Sequence, residues 1–325
     1  MLQTAFTRRF GIEHPIVQAG MGHEASAALA AAVSNAGALG TIGSIGGTPD
    51  HLQGEIRRCR ELTTRPFAVN LVTWPWAPWA LELIDLTLAE RPPVVTLSFG
   101  EPLLHVERCK AAGIPTIVQV QDLVGARATL AAGPDAVIAQ GNEAGGHTGR
   151  RGTLAFAAQV LDLAGDLPVL VAGGIATGRG VAAALAMGAA GAVLGTRFKA
   201  SVEFAGPDAL KEAIVASDGS DTLHDEILDD ACGLEWPRGV TGRALRNHFT
   251  AEWEGKRAAL RAKVATYPPF GFIAELDQDP STRINWAGES SGLVDEVRPA
   301  ADIVRAVVAD TEARLRSITP LLDPR

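Results

Sequence analysis

Short apolar runs alternate with amphipathic stretches over the first two thirds of the chain. The apolar runs are rich in β-branched residues and are bounded by glycine or proline, which favours buried strands over helices. The predicted strands are 15–19, 38–42, 67–71, 93–97, 115–120, 135–139, 168–172 and 191–194. The predicted helices between them are 24–35, 50–62, 78–90, 102–112, 122–132, 153–164 and 178–187. Continuous apolar strands separated by helices indicate a parallel sheet covered on both faces.

The number of strand–helix units selects the fold class. Eight units within about 200 residues predict an α/β protein with a (β/α)₈ TIM barrel. An open, doubly wound sheet is the alternative, and the count of eight disfavours it.

The alternation stops near Lys211. Residues 212–285 are richer in charge, contain helical segments such as 244–264, and show no strand pattern. They predict a small, mostly helical cap over the barrel mouth. Residues 297–317 are again amphipathic and predict the last helix of the barrel. The predicted domains are therefore a barrel of 1–211 with 286–325, and a cap of 212–285.

Composition adds limits on partners and location. Hydrophobic residues make up 47% of the 325 residues and charged residues 20%, which allows a large core. The net charge of -8 and the lack of a dense basic run argue against nucleic-acid binding. No apolar window is long enough to predict a membrane span. Cys59, Cys109 and Cys232 lie far apart, without metal-ligand spacing, so we expect a cytoplasmic protein that binds no metal.

A glycine pair and a glycine–threonine pair follow the last two predicted strands. Gly173 and Gly174 come directly after 168–172, and Gly195 precedes Thr196 directly after 191–194. In TIM barrels a phosphate commonly lies after the seventh and eighth strands, where backbone N–H groups bind it. Turns and helix caps are the alternative role of single glycines, but the two pairs together predict a phosphate site.

The segment from Gln140 to Arg150 contains the residue that we predict to be catalytic. His147 follows Gly145 and Gly146 at the end of the predicted strand 135–139, and histidine is readily tuned as an acid or base near neutral pH. The alternative is a histidine that only supports a glycine loop. Glu143 could orient His147 or cap a backbone turn. No Ser-His-Asp spacing or pair of strand-end carboxylates is evident, so the chemistry is expected to come from a cofactor.

Small residues and amides at other strand ends predict room for a flat polar ring. These candidate cofactor-binding residues are Ala19, Met21, Gly22, Asn70, Gln119 and Gln140. His23 could line the pocket or face solvent. The Trp- and Pro-rich loop 74–79 could form a wall over an apolar substrate, or pack under the cap or at a subunit contact.

Several longer motifs resemble the nitronate monooxygenase family, formerly called 2-nitropropane dioxygenases. The motifs are PIVQAGMG, FAVNL, VVTLSFGEP, GNEAGGHTGR, VLVAGGIATGRGVAAALAMGAAGAVLGTRF, TGRALRN and WAGESSGLV, from residue 11 to about 317. The chain departs from the family pattern at Gln119-Val120-Gln121, where threonine, serine or lysine is frequent, and at His23, where small residues are usual.

The resemblance implies FMN as the cofactor and His147 as an active-site base or polarising residue. It implies that Gly173, Gly174, Gly195 and Thr196 hold the phosphate beside Gly145 and Gly146. It places the flavin ring near Met21, Gly22, Asn70 and Gln140. In that family a nitronate is oxidised with O2 to a carbonyl compound and nitrite.

Two other functions compete with nitronate oxidation. One is an NAD(P)H-dependent flavin reductase of a quinone or an enoyl thioester. The other is a non-catalytic protein that binds a phosphate-containing ligand. The expected partners are O2 and a small molecule, either a nitronate or another apolar compound, and a homodimer is possible.

Overall fold

The computed structural model describes residues 2–74 and 78–319. Within these ranges the chain forms eleven strands. They are β1 Ile16–Gln18, β2 Gly40–Gly43, β3 Phe67–Val72, β4 Val94–Ser98, β5 Thr116–Val120, β6 Ala136–Gln140, β7 Gly146–Thr148, β8 Val169–Ala172, β9 Gly191–Leu194, β10 Thr222–His224 and β11 Thr241–Leu245.

All the strands except β7, β10 and β11 form one parallel barrel in the described chain. The strand order is β1-β9-β8-β6-β5-β4-β3-β2, and the pairing of Val17 with Leu39 joins β1 to β2. The Gln18 N–H donates to the Leu39 carbonyl at 3.0 Å, which helps to close the ring. The (β/α)₈ TIM barrel is confirmed, and its carboxyl-terminal rim is the place where active sites of this fold lie.

Helices surround the barrel and also follow it. They are α1 Ala5–Phe10, α2 Ala27–Asn35, α3 Pro49–Leu62, α4 Pro78–Glu90, α5 Pro102–Ala111, α6 Leu123–Ala132, α7 Thr153–Ala164, α8 Gly178–Ala186, α9 Thr196–Lys199, α10 Asp208–Ala216, α11 Ile227–Cys232, α12 His248–Trp253, α13 Arg257–Val264, α14 Gly271–Leu276 and α15 Ala300–Ile318. Each predicted barrel strand is present to within two residues, because each is a mostly apolar run whose residues are mostly buried.

The prediction that 212–285 contains no strand is wrong. β10 and β11 lie in this segment and pair antiparallel with each other, and β11 also pairs antiparallel with β7 from the barrel rim. β10 is three residues long and β11 contains a glycine and an arginine, so neither shows an apolar alternation. Pairing over a long sequence distance, rather than local pattern, forms this small sheet.

The segment 212–285 has an apolar core of its own, which includes Leu228, Phe249, Leu260 and Phe272. After it the chain returns to the barrel, where α15 packs against α8 and α2. Ile303, Val304 and Val307 of α15 are buried, so the prediction of a last barrel helix at 297–317 is confirmed. In the ranges that the structure describes, no helix combines the length and apolar character of a membrane crossing.

Candidate active site

His147 lies on β7, between the barrel rim and the segment 212–285. Its backbone neighbour across the small sheet is Gly242 of β11. Its Nε2 atom is 2.5 Å from Oδ1 of Asp229 on α11, and the two side chains are 15% and 7% exposed. The other carboxylate oxygen, Oδ2 of Asp229, accepts a hydrogen bond from the Thr241 hydroxyl. The buried carboxylate of Asp229 therefore holds the imidazole at Nε2 and leaves Nδ1 on the other edge of the ring.

This pairing assigns the tautomer of the neutral imidazole. An ionised carboxylate only accepts hydrogen bonds, so Nε2 of His147 carries the proton that it donates to Asp229. Nδ1 then carries the lone pair, and within the described residues it makes no hydrogen bond. The geometry thus offers a lone pair at Nδ1 that can act as a base, on an imidazole held at Nε2 by the Asp229 carboxylate.

Aromatic side chains lie against the imidazole. The indole of Trp236 stacks on His147 with the ring centroids 3.8 Å apart and the planes 19° from parallel. The indole of Trp286 is tilted by 40° at 5.1 Å, and Phe99 meets Trp236 edge-on at 4.8 Å. These rings restrict the plane of the imidazole. Together with Asp229 they hold His147 in one orientation.

Glu143 serves the glycine loop rather than the histidine. Its Oε1 atom accepts a hydrogen bond from the N–H of Thr153, at 2.9 Å, at the start of α7. The Glu143 carbonyl also accepts from the N–H of Glu289 at 3.0 Å. Of the two roles predicted for Glu143, the structure shows a capping contact, and the orienting contact to His147 comes from Asp229.

The loop after β8 has a backbone conformation that favours glycine. Gly173 and Gly174 have φ angles of 106° and 72°, which side-chain-bearing residues rarely adopt. A Cβ on Gly174 would lie 2.4 Å from Oε2 of Glu143, and one on Gly173 would lie 2.7 Å from Oγ1 of Thr153. The hydroxyl of Thr153 is buried without a hydrogen-bond partner among the described residues. Such a crowded, polar, glycine-lined turn fits a phosphate group.

The loop after β9 joins the same site. Gly195 caps the short helix α9, and the hydroxyl of Thr196 accepts a hydrogen bond from the Gly288 N–H at 2.9 Å. Gly288 also lies against Gly145, since a Cβ on Gly288 would be 2.7 Å from the Gly145 nitrogen. The predicted Gly173-Gly174 and Gly195-Thr196 turns and the predicted loop at 145–146 are therefore brought together, with the segment around Gly288 between them.

The predicted ring-binding residues meet at the ends of β1, β3 and β9. A Cβ on Gly195 would lie 3.6 Å from the Ala19 Cβ and 3.8 Å from the Met21 sulfur. A Cβ on Gly20 would lie only 2.4 Å from the Asn70 Cβ, so glycine is required for this close approach. Gly22 has a φ of 62° and turns the chain beside these residues. We call the group Ala19, Met21 and Gly22 at the rim the shelf.

Amide side chains form a separate polar group on neighbouring strands. Nε2 atoms of Gln119 and Gln121 donate to Oε1 of Gln140 at 3.1 and 3.2 Å. Nδ2 of Asn70 donates to Oγ of Ser98 at 2.9 Å. Two donors on Oε1 fix the Gln140 amide so that its own N–H groups remain the donors for a ligand. Gln119 and Gln121, where the sequence departs from the family pattern, thus orient the side chain of Gln140.

The structure decides between the alternative locations that the sequence allowed for His23 and Trp74. His23 is exposed, with its ring edge-on to His51 at 6.2 Å, so it faces solvent. Trp74 donates from Nε1 to the Glu235 carbonyl at 3.2 Å, so it packs under the segment 212–285. Residues 75–77 of the predicted tryptophan–proline loop lie outside the described residues.

Asp229, Trp236 and Trp286 were missed by the sequence analysis. Asp229 and Trp236 lie in the segment 212–285, where no catalytic residue was expected. Trp286 is the first residue of the motif WAGESSGLV, to which the sequence alone assigned no role. Lys199 is a further buried group: its ammonium donates to the Trp286 carbonyl at 3.2 Å, and burial lowers the pKa of Lys199 to about 8. It holds Trp286 beside His147.

Comparison with known proteins shows similarity over almost the whole chain. The model of the family described as nitronate monooxygenase matches residues 3–78 and 77–310. The chain is 41% identical to (3aS,4S,5R,7aS)-5-hydroxy-7a-methyl-1-oxo-octahydro-1H-indene-4-carboxyl-CoA dehydrogenase of Rhodococcus jostii, over 98% of this chain and 99% of that protein. It is 32% identical to nitronate monooxygenase of Pseudomonas aeruginosa, over 94% of this chain and 98% of that protein.

A solved structure agrees with the fold. FabK from Thermotoga maritima is similar with a TM-score of 0.87 and 33% sequence identity, over 99% of this chain and 100% of that one. The similarity includes the segment 212–285 as well as the barrel.

Proposed function

The chain belongs to the nitronate monooxygenase family, and we propose that it uses FMN to oxidise alkyl nitronates with O2 to a carbonyl compound and nitrite. As a member of this family it is a flavin-dependent oxidoreductase that acts on small molecules. Membership of this family of enzymes also argues against the alternative of a non-catalytic binding protein.

The hydrogen bond between His147 and Asp229 carries the proposal. With Nε2 directed to the carboxylate, Nδ1 of His147 is available as a base for a carbon acid, a compound whose C–H lies beside an electron-withdrawing group. A neutral nitroalkane is such an acid, and removal of its proton gives the nitronate. A nitronate supplied directly needs no base, and in that case His147 would act as the polarising residue at the nitronate oxygens.

The residues of the rim fit FMN. The glycine turns at Gly173, Gly174 and Gly195, with Thr196, would hold the phosphate, and the unpartnered hydroxyl of Thr153 lies against Gly173. The shelf at Ala19, Met21 and Gly22 would take one face of the flavin ring, and Asn70, Gln119 and Gln140 its polar edge, with Gly145 and Gly146 adjoining. When bound, FMN supplies the electron acceptor, and the protein supplies the base, the orientation and the exclusion of water.

A second candidate is the dehydrogenation of a CoA thioester. It is favoured by the 41% identity to the CoA dehydrogenase of Rhodococcus jostii, which exceeds the identity to the nitronate monooxygenase of Pseudomonas aeruginosa. The carbon beside a thioester carbonyl is also a carbon acid, so His147 and Asp229 would have the same task. The two candidates differ in the substrate that would lie in front of Nδ1, which is a nitro compound in the first and a CoA thioester in the second.

Anaerobic mixing of the purified protein with separate reductants tests the proposal. The visible spectrum would be followed after addition of propyl-2-nitronate, cyclohexanecarboxyl-CoA or NADH. Bleaching of the flavin by the nitronate, with nitrite formed on admission of O2, supports nitronate oxidation. Bleaching by the thioester alone assigns the second candidate. Bleaching by NADH alone assigns a reductase of a quinone or an enoyl thioester. A colourless protein that does not take up FMN contradicts the cofactor.

The role of His147 requires a matched pair of variants. His147→Gln is expected to lower turnover of neutral nitroethane about 100-fold, the lower end of what a general base contributes. Trp253→Phe, on α12 away from the imidazole, controls for changes to the segment 212–285. Equal turnover of nitroethane by His147→Gln and the unmodified protein would end the assignment of His147 as a base.

A further inference from the structure

The chain returns to the barrel through residues 283–289, which we call the strap. At its start, Nη2 of Arg283 forms an ion pair with Oε1 of Glu24, and the two atoms are 2.6 Å apart. Farther along, the carbonyl of Asn285 accepts a hydrogen bond from the Leu245 N–H at 2.9 Å. These contacts fix the strap to the barrel at one point and to the small sheet at another.

The end of the strap packs against the glycine loop of the barrel rim with no room for a side chain. Gly288 is buried, and a Cβ on it would lie 2.4 Å from the Glu143 carbonyl oxygen and 2.7 Å from the Gly145 nitrogen. Its φ of -92° is one that any residue adopts, so the close approach, and not the backbone conformation, requires glycine here. In the same way, a Cβ on Gly145 would lie 2.5 Å from the Ala287 carbonyl carbon. The strap and the glycine loop are therefore in direct backbone contact.

The same glycine contacts a residue of the predicted phosphate site. The N–H of Gly288 donates to the hydroxyl oxygen of Thr196 at 2.9 Å, and both residues are buried. A threonine hydroxyl can accept two hydrogen bonds but donates one. Since Gly288 supplies a donor, the Thr196 proton is left for an acceptor, and in the part of the chain that the structure describes this hydroxyl donates to no residue. A buried hydroxyl proton of this kind requires an acceptor.

We propose that the strap completes the phosphate site, because the Gly288 N–H orients the Thr196 hydroxyl so that its proton is donated to the FMN phosphate. A phosphate oxygen is a charged acceptor, and hydrogen bonds to charged acceptors are among the strong ones. Gly288 acts through Thr196 and is a positioning residue, whereas Thr196 would contact the phosphate itself. The inference rests on the cofactor of the proposed function and does not depend on which carbon acid is oxidised.

This arrangement links the phosphate to the base. The strap also carries Trp286, whose carbonyl accepts from the Lys199 ammonium at 3.2 Å and whose indole lies 5.1 Å from the ring of His147. The residue that orients the phosphate donor is thus two positions along the chain from one that borders the imidazole. A phosphate bound to Thr196 therefore favours the strap conformation in which Trp286 lies beside His147.

The test compares FMN with riboflavin, which has the same ring and ribityl chain but no phosphate. Titration of the flavin-free full chain, followed by flavin fluorescence, gives a dissociation constant for each. In Thr196→Val and in Gly288→Ala the dissociation constant for FMN is expected to rise about tenfold, the lower end for a hydrogen bond to a charged group, while that for riboflavin changes by less than about twofold. The double variant should lose no more FMN affinity than Thr196→Val, because Gly288 acts through Thr196.

Two control variants separate phosphate binding from packing. Thr196→Ser keeps the hydroxyl and should restore the preference for FMN. Gly292→Ala controls for crowding in the same stretch of chain, since its Cβ would lie 2.2 Å from the Asp218 carbonyl oxygen, and its nearest neighbours are in the loop 218–219. It should leave the ratio of the two dissociation constants unchanged.

Hydrogen–deuterium exchange tests the strap in the unmodified protein, even if Gly288→Ala does not fold. Exchange within 283–289 should be slower with FMN than with saturating riboflavin, because the phosphate stabilises the hydrogen bond of the Gly288 N–H. Equal exchange with both flavins, or an equal loss of affinity for both in Thr196→Val and Gly288→Ala, would overturn the role of the strap alone. Equal affinity of the unmodified protein for FMN and riboflavin would instead contradict the phosphate site and FMN as the cofactor.

Discussion

The buried ammonium of Lys199 gives a prediction about stability and pH. Lys199 is 3% exposed, with the Trp286 carbonyl as its hydrogen-bond acceptor and Phe204 beneath its ammonium at 5.6 Å. Loss of hydration lowers the pKa of Lys199 from its ordinary value of 10.5 to about 8; Glu24 opposes this shift and Arg283 adds to it. We expect replacement by methionine to change how the free energy of unfolding depends on pH.

The sign follows from the protons bound in each state. Between pH 8 and 10.5 the unfolded chain still holds the Lys199 proton and the folded protein has released it, so stability rises with pH. Below pH 8 the folded protein carries the full cost of the buried charge. At about 1.4 kcal/mol per pH unit, the gain between pH 8 and 9.5 is about 2 kcal/mol. Lys199→Met lacks this gain.

Urea unfolding of both proteins at pH 8.0, 8.5, 9.0 and 9.5, at constant ionic strength, measures the difference. The free energy of unfolding of the unmodified protein should rise relative to Lys199→Met by about 2 kcal/mol over this range. Lys256→Met, at an exposed lysine, controls for the loss of one lysine from the unfolded chain. At neutral pH the two effects of methionine oppose each other, because it removes the buried charge but leaves the Trp286 carbonyl without its donor. Parallel pH profiles for Lys199→Met and the unmodified protein would refute the reasoning.

Other predictions follow from contacts at the site and in the core. Asp229→Asn should lower kcat for nitroethane about 100-fold while the fold is retained, because an amide no longer fixes the tautomer of the imidazole; steady-state kinetics and circular dichroism check this. Gly20→Ala should weaken FMN binding, measured by flavin fluorescence, because its Cβ would lie 2.4 Å from the Asn70 Cβ, and unchanged affinity would contradict the close packing. Burial raises the pKa of Cys59 to about 12 and of Cys109 to about 11, so both thiols should resist iodoacetamide at pH 8 until the protein is unfolded, as mass spectrometry would show.

The barrel could be predicted from the sequence because the local sequence of each strand indicates a buried strand. Runs such as 168–172 and 191–194 are apolar without interruption, a pattern typical of a parallel strand that is buried on both faces. Gly173-Gly174 and Gly195-Thr196 could be placed at the rim for the same reason, since each directly follows such a run.

The partner of the catalytic base could not be predicted in this way. Asp229 lies on α11, far along the chain from His147, and the two meet where β7 pairs with β11 and Thr241 of β11 bonds to Asp229. β11 reads Thr-Gly-Arg-Ala-Leu, which has no alternation that would indicate a strand. The segment TGRALRN was noticed for its resemblance to a family, and that was the available signal that this region belongs to the site.

The antiparallel pairing of β7 with β11 limits how this protein can be re-engineered. The base comes from the barrel and its carboxylate partner from the segment 212–285, so neither part holds a complete proton-handling unit. A chimera that takes this segment from a relative, in order to change substrate range, would also replace Asp229, Thr241 and Trp236. Exchange of this segment therefore cannot change substrate choice without also changing the partners of His147. Exchange of loops at the barrel rim is the less disruptive way to alter substrate range.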